Sequence, residues 1–272
     1  MDSVTIGSTN VTRFILGSNP FSGFSHQGAT LDRDMRQYYT VETIKRTLHE
    51  AETVGINTLI ARTDFHVIRM LEEYCNEGGV LQWFAQTCPE VGDHKMCVTR
   101  AARGGAKACH IHGGVMDHLL AQDALDEIPD VVAMIHDNGM LAGMAGHTPA
   151  VFEWAEAQHI DVDYYMCSYY NPIPRVANAE HVSGTAEQYL DEDRISMLDL
   201  IRRLSKPVIH YKVLAAGRND PAQAFATVAS HLRANDAVCV GVFTRDQPDM
   251  VRTDVQLFEA AVAQVSSNRQ RV

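Results

Sequence analysis

Apolar runs of strand character alternate with amphipathic helical stretches along the whole of this sequence, and few folds accommodate that pattern. The runs begin near residues 14, 58, 81, 108, 141, 163, 208 and 238. Most are apolar almost throughout, as expected of strands buried on both faces of a parallel sheet. The stretches between them carry helix signals. Thr40 can cap one whose Ile44, Leu48, Ala51 and Val54 share a face before Gly55 ends it. Eight such units in 272 residues, with no low-complexity linker, predict a single-domain (β/α)8 TIM barrel over residues 1–272. A doubly wound open sheet is the alternative, but no G-x-G-x-x-G follows any of the runs. Residues 19–39 and 171–190 read as long loops over the C-terminal face, where barrels of this kind place their active sites.

Composition narrows the partners. A formal charge of −11 argues against a general nucleic-acid or anionic-membrane surface and favours a small-molecule substrate. No segment is long and apolar enough to span a membrane, and the N-terminus has no basic region followed by an apolar run. The six cysteines are scattered, without a C-x-x-C pair, which fits reduced thiols in a cytoplasmic protein. Phe21, Phe24 and Trp83 are candidates for a homo-oligomer contact, although isolated aromatics more often pack locally.

The strand ends carry the chemistry. In Cys109-His110-Ile111-His112-Gly113-Gly114, period-two geometry puts His110 and His112 on one strand face, and the glycines mark the strand's end. With Asp64, His66 and His147 they form a candidate divalent-metal set, of a donor chemistry suited to Zn, Mn, Co, Ni or Fe. The same groups could instead hydrogen-bond substrate or one another. Lys212, read as sharing a face with His210 and Leu214, is a candidate base or Schiff-base amine, since a lysine facing into a barrel must be paired or hold a depressed pKa. His112, His147 and Tyr169 join it as catalytic candidates. Asn19, His26, Gln86, Asn171, Gly217 and Arg218 are candidates for substrate binding, the last two in a turn that is equally an ordinary capped turn.

Several of these stretches resemble the aldo-keto reductase superfamily. The resemblance runs through Gly55-Ile56-Asn57-Thr58 at the entry to strand two, His112 at the end of strand four, Asp163 to Asn171-Pro172 at strand six, and Val213-Leu214-Ala215-Ala216-Gly217-Arg218 after strand seven. It implies the barrel fold and, at the strand-seven exit, an NAD(P)H site. The sequence departs from the reductase pattern at the catalytic positions. Ile60 stands where the resemblance calls for a catalytic aspartate, Gln86-Thr87 where it calls for a lysine, and the expected tyrosine is absent. Only the histidine has a match, His112. The leading expectation is therefore an enzyme acting on a small polar carbonyl or sugar-derived substrate by lyase, isomerase or hydrolase chemistry, with or without a divalent metal. A divergent NAD(P)H-dependent reductase and a noncatalytic ligand-binding barrel are the alternatives.

Overall fold

A computed structural model describes residues 1–180 and 186–269. Among them eight parallel strands close into a barrel: β3 (Phe14–Gly17), β4 (Thr58–Arg62), β5 (Gln82–Gln86), β6 (Ala108–Ile111), β7 (Leu141–Gly146), β8 (Tyr164–Ser168), β9 (Val208–Tyr211) and β10 (Ala237–Gly241), with β10 pairing back onto β3. The alternation of side chains along each strand divides the apolar residues into two sets. Ile15, Ile60, Phe84, Ala108, Tyr164 and Ile209 fill the barrel's interior. Phe14, Leu59, Cys109, Ile111 and Val238 face outward against the helices. There Phe14 meets Phe225 and Phe258 at ring distances of 6.0 and 5.7 Å. Both faces of the sheet are thus apolar, which is why the runs are visible in the sequence.

Helices α1 (Ala29–Tyr38), α2 (Val41–Thr53), α3 (Phe65–Asn76), α4 (His94–Arg103), α5 (Gly113–Ala121), α6 (Ile128–Asp137), α7 (Pro149–Ala157), α8 (Asp191–Ile201), α9 (Pro221–His231) and α10 (Met250–Arg269) connect and cover the strands. Thr40 caps α2 as expected, its hydroxyl accepting the N–H of Thr43 at 3.2 Å.

Four features differ from the sequence reading. An N-terminal hairpin, β1 (Ser3–Ile6) with β2 (Thr9–Thr12), precedes the barrel, and its Val4, Ile6 and Val11 join the interior apolar cluster. Residues 19–39 are not an open loop: a 3-10 turn at Asn19–Ser22 and α1 occupy most of the stretch. Gly113 and Gly114 follow the end of β6 as expected but also begin α5, a helix the sequence reading did not place, with His112 at its N-cap. Phe21 and Trp83 are buried, and Phe24 lies under the Arg62 guanidinium, so these three do not form an exposed contact patch. Of the second long loop, residues 181–185 lie outside the described residues.

Candidate active site

A cavity of about 450 Å³ opens at the C-terminal ends of the strands, within the size range of sites for small ligands. Asn19, His26, Gln86, His112, His147, Lys212 and Gly217 line it, so the structure gathers these seven sequence candidates at one place. Tyr211, Arg62, Arg175 and Asp254 also line it and were not singled out from the sequence.

The arrangement at β9 explains how two neighbouring residues reach the same cavity. Ile209 and Tyr211 point inward, whereas Val208 and His210 point outward, His210 towards the Tyr169 hydroxyl at 3.0 Å and Asp236 at 3.3 Å. Continued alternation would send Lys212 outward with His210. Instead its backbone turns left-handed, with φ 57°, and the side chain lines the cavity beside Tyr211. A lysine in this region is uncommon and costs strain that the surrounding structure must hold. Lys212 does not share a face with His210, contrary to the sequence reading.

Each of the two residues is attached to a histidine that is in turn attached to a carboxylate. Tyr211 Oη lies 3.3 Å from His147 Nε2, and His147 Nδ1 lies 2.6 Å from Asp117 Oδ2. The Asp117 carboxylate also accepts the backbone N–H of His147 at 3.1 Å. Burial dominates and lowers the pKa of His147, outweighing Asp117, so the ring is neutral at pH 7. With Nδ1–H donated to Asp117, Nε2 is left to accept the tyrosine proton. Burial, reinforced by Asp117, pushes the Tyr211 phenol well above its ordinary range, so it stays protonated as a donor. Gly113 makes this possible: a Cβ there would lie 2.9 Å from Tyr211 Oη and 3.1 Å from His147 Cε1.

On the other side, Lys212 Nζ lies 3.2 Å from His26 Nε2, and His26 Nδ1 lies 2.8 Å from Glu187 Oε1. Burial opposes ionisation of Glu187, but its bonds to His26 and Tyr189 and the nearby Lys212 bring its pKa down to about 2. An ionised Glu187 takes Nδ1–H, and Nε2 accepts from the lysine. Burial lowers the Lys212 pKa to about 8 against the attraction of Glu187, with Arg175 adding to the fall.

The remaining candidates lie elsewhere. Tyr169 packs outside the barrel wall against His210. Asn171 is absent from the cavity wall, its N–H bound to Asp193. Arg218 stacks on Tyr189 at 4.3 Å and donates to the His26 carbonyl at 2.9 Å, fastening the segment that carries His26 rather than facing a ligand. The five metal candidates are not brought together. Asp64 caps α3 and pairs with Arg62, His66 is exposed on α3, and His110 sits in the barrel interior against Tyr164. Only His112 and His147 of that set face the cavity, and among the described residues no group of three suitable side chains could hold a metal. The reductase positions are equally informative. Ile60 and Gln86 do line the cavity, so the aspartate and lysine of the reductase pattern are replaced in place. At the strand-seven exit Val213, Leu214, Ala216, Gly217 and Asn219 line the cavity, whereas Arg218 is turned to His26 and Tyr189.

The residues missed in the sequence had weak signals. Asp117 lies five positions after His112 on a helix not expected there, Glu187 lies in a long connection, and Tyr211 was hidden by the assumption that Lys212 faces inward by alternation.

No family model matches this chain, and no curated protein matches it. Solved structures do. An aldo-keto reductase from Bacillus halodurans is 11% identical with a TM-score of 0.60, covering 97% of this chain and 96% of that one. The protein Gox0644 is 9% identical with a TM-score of 0.61, covering 97% and 93%. An N-acetylmannosamine-6-phosphate 2-epimerase from Clostridium perfringens is 14% identical with a TM-score of 0.54, covering 89% and 91%. At these identities the likeness shows the TIM-barrel fold alone, and the chemistry rests on the residues in the cavity.

Proposed function

We propose that the protein is an enzyme that moves a proton at the carbon beside a carbonyl of a small polar substrate, as an isomerase or lyase. The observation that carries this reading is the pairing of an amine and a phenol at adjacent positions, each tethered to its own histidine–carboxylate pair, on one cavity wall. A base must be partly unprotonated near working pH, and an amine with a pKa of about 8 meets that need. Neutral Lys212 removes the proton, and the bonding pair of the C–H moves into the carbon–carbon bond as the carbonyl oxygen gains charge. The Tyr211 hydroxyl, released from His147 Nε2, donates a hydrogen bond to that oxygen. The proton on Lys212 then returns to carbon from the other face or an adjacent position, or goes to a departing group. His26 and Glu187 hold the amine in place and stabilise its protonated form. Gln86, Asn19 and His112 supply further hydrogen-bonding groups for hydroxyls of the substrate.

The test is deuterium exchange. A panel of small hydroxy-aldehydes and hydroxy-ketones incubated in D2O is followed by NMR for label at the carbon next to the carbonyl. Lys212→Met should lower exchange by roughly a thousandfold or more, and Tyr211→Phe by roughly a hundredfold, as expected for loss of a base and of a single oxyanion donor. The wild-type rate should rise with pH through about 8, because the unprotonated amine is the active form. Exchange that survives Lys212→Met, or its absence across the panel, would remove the proposal.

A further inference from the structure

The connection after β8 brings a second cation to the cavity. Arg175 is only 8% exposed and lines the cavity wall. Its backbone is pinned: its carbonyl lies 3.0 Å from His118 Nδ1, and the carbonyl of Val176 accepts from Gln122 Nε2 at 3.0 Å. Its guanidinium makes one hydrogen bond, from Nη1 to the Glu180 carbonyl at 2.6 Å, and no ion pair among the described residues. A guanidinium offers five N–H donors in a planar fork, so most of this fork, on the cavity wall, has no acceptor among the described residues.

The nearby acids do not supply one. Asp117 is bound to His147, Glu187 to His26, and Glu90 to Arg62. Arg62 shows the contrast, because its guanidinium meets both Asp64 at 3.0 Å and Glu90 at 3.1 Å. Burial accordingly wins at Arg175 and lowers its pKa despite those acids. A buried cation without a partner is costly unless a ligand completes it.

We propose that Arg175 is the binding residue for an oxyanion on the substrate, a phosphate or a carboxylate, held through the free edge of its guanidinium. This builds on the proposed function, since it assigns the substrate class of the same cavity. The geometry suits it: Arg presents paired donors matched to two oxygens of one group. The reacting carbon would then lie between this anchor and the Lys212–Tyr211 pair.

The experiment needs no turnover. Thermal unfolding of the full chain is followed while inorganic phosphate, or separately glycolate, is titrated to tens of millimolar at pH 7, for wild type, Lys212→Met and Arg175→Met. The proposal expects one or both anions to raise the wild-type Tm with saturation, Lys212→Met to keep the response, and Arg175→Met to weaken it at least tenfold in apparent Kd. It also expects unliganded Arg175→Met to melt at or above the wild-type temperature, because the guanidinium it loses has no ion pair. A response to phosphate alone assigns a phosphorylated substrate, and one to glycolate a carboxylic acid. No response from wild type, an undiminished response from Arg175→Met, or an Arg175→Met that melts well below wild type with unchanged anion binding would overturn it. Failure of deuterium exchange with an intact anion response would instead count against the Lys212 chemistry alone.

Discussion

Two charged side chains in the cavity, Arg175 and Asp254, have no ion pair among the described residues, and the second yields a prediction about stability. Asp254, on α10, is 4% exposed, lines the cavity and has no hydrogen bond or ion pair among the described residues. Burial raises its pKa to about 7. The folded protein therefore binds this proton more tightly than the unfolded chain does. Its contribution favours the fold below the ordinary carboxylate range, and that advantage is lost as pH rises through about 4 to 7. Asp254→Asn removes the ionisation, so it should stabilise the protein at pH 8 by on the order of 4 kcal/mol, at about 1.4 kcal/mol per pKa unit, and leave it nearly unchanged at pH 4. Urea unfolding at the two pH values checks this, and an equal effect at both would show that Asp254 is not the titrating group. Asp117 is the converse case, a carboxylate with a defined task. Asp117→Asn no longer fixes the His147 tautomer, and exchange by the proposed enzyme should fall roughly a hundredfold or more, by comparison with general-base contributions, with little change in KM. A change confined to KM would place Asp117 in substrate binding instead.

Period-two reading was sound along the strands and failed where they end. It correctly set His110 and His112 on one inward face, because β6 stays regular through Ile111. At β9 it sent Lys212 to the cavity but on the face of His210: the inward residues are Ile209 and Tyr211, and Lys212 reaches the cavity only through a positive φ that no residue type announces, since lysine does not favour the left-handed region. Gly113 and Gly114 do follow the strand's end, as expected, but a glycine pair, which disfavours helix interiors, gives no sign of the helix they begin. Their use here is steric: a Cβ on Gly114 would come within 2.7 Å of the Ala179 carbonyl and 3.0 Å of His112 Cε1. The carboxylates behind the histidines were not legible, since Asp117 and Glu187 come from segments whose path the sequence pattern did not show. The strain after β9 continues at Ala215 and Ala216, with φ 48° and 54°. Ala216→Gly should relieve it and stabilise the fold by about 0.5–1 kcal/mol, the usual scale of the left-handed penalty for a residue with a Cβ less glycine's entropy cost. Chemical denaturation measures the gain, and a loss of stability would show that the Ala216 methyl group contributes packing that outweighs the strain.

At the scale of the molecule, the closed barrel was legible because every barrel strand has apolar residues on both faces, and eight such runs at regular spacing have few alternatives. The hairpin was not, because its strands are four residues each and mix apolar with exposed polar positions. Its place is nonetheless specified. Asn57, just before β4, accepts the Thr12 N–H at 2.9 Å and donates to the Asn10 carbonyl at 3.1 Å, tying β2 to the N-terminal end of the sheet. Ile6, fully buried, then enters the same cluster as Ile15, Phe84 and Ile209. The hairpin thus closes the end of the barrel opposite the cavity, which leaves the candidate site at the other end. Ile6→Ala should cost about 3 kcal/mol, the middle of the range for removing a buried isoleucine side chain down to Cβ. The same variant should bind phosphate and exchange deuterium at wild-type rates wherever it remains folded, because the hairpin is tied to the N-terminal end of the sheet and the cavity opens at the C-terminal end. Urea unfolding and the exchange assay on one preparation test both halves. A loss of exchange without a matching loss of stability would mean that the floor of the barrel positions the Lys212–Tyr211 pair, and the two ends would then have to be treated as one site.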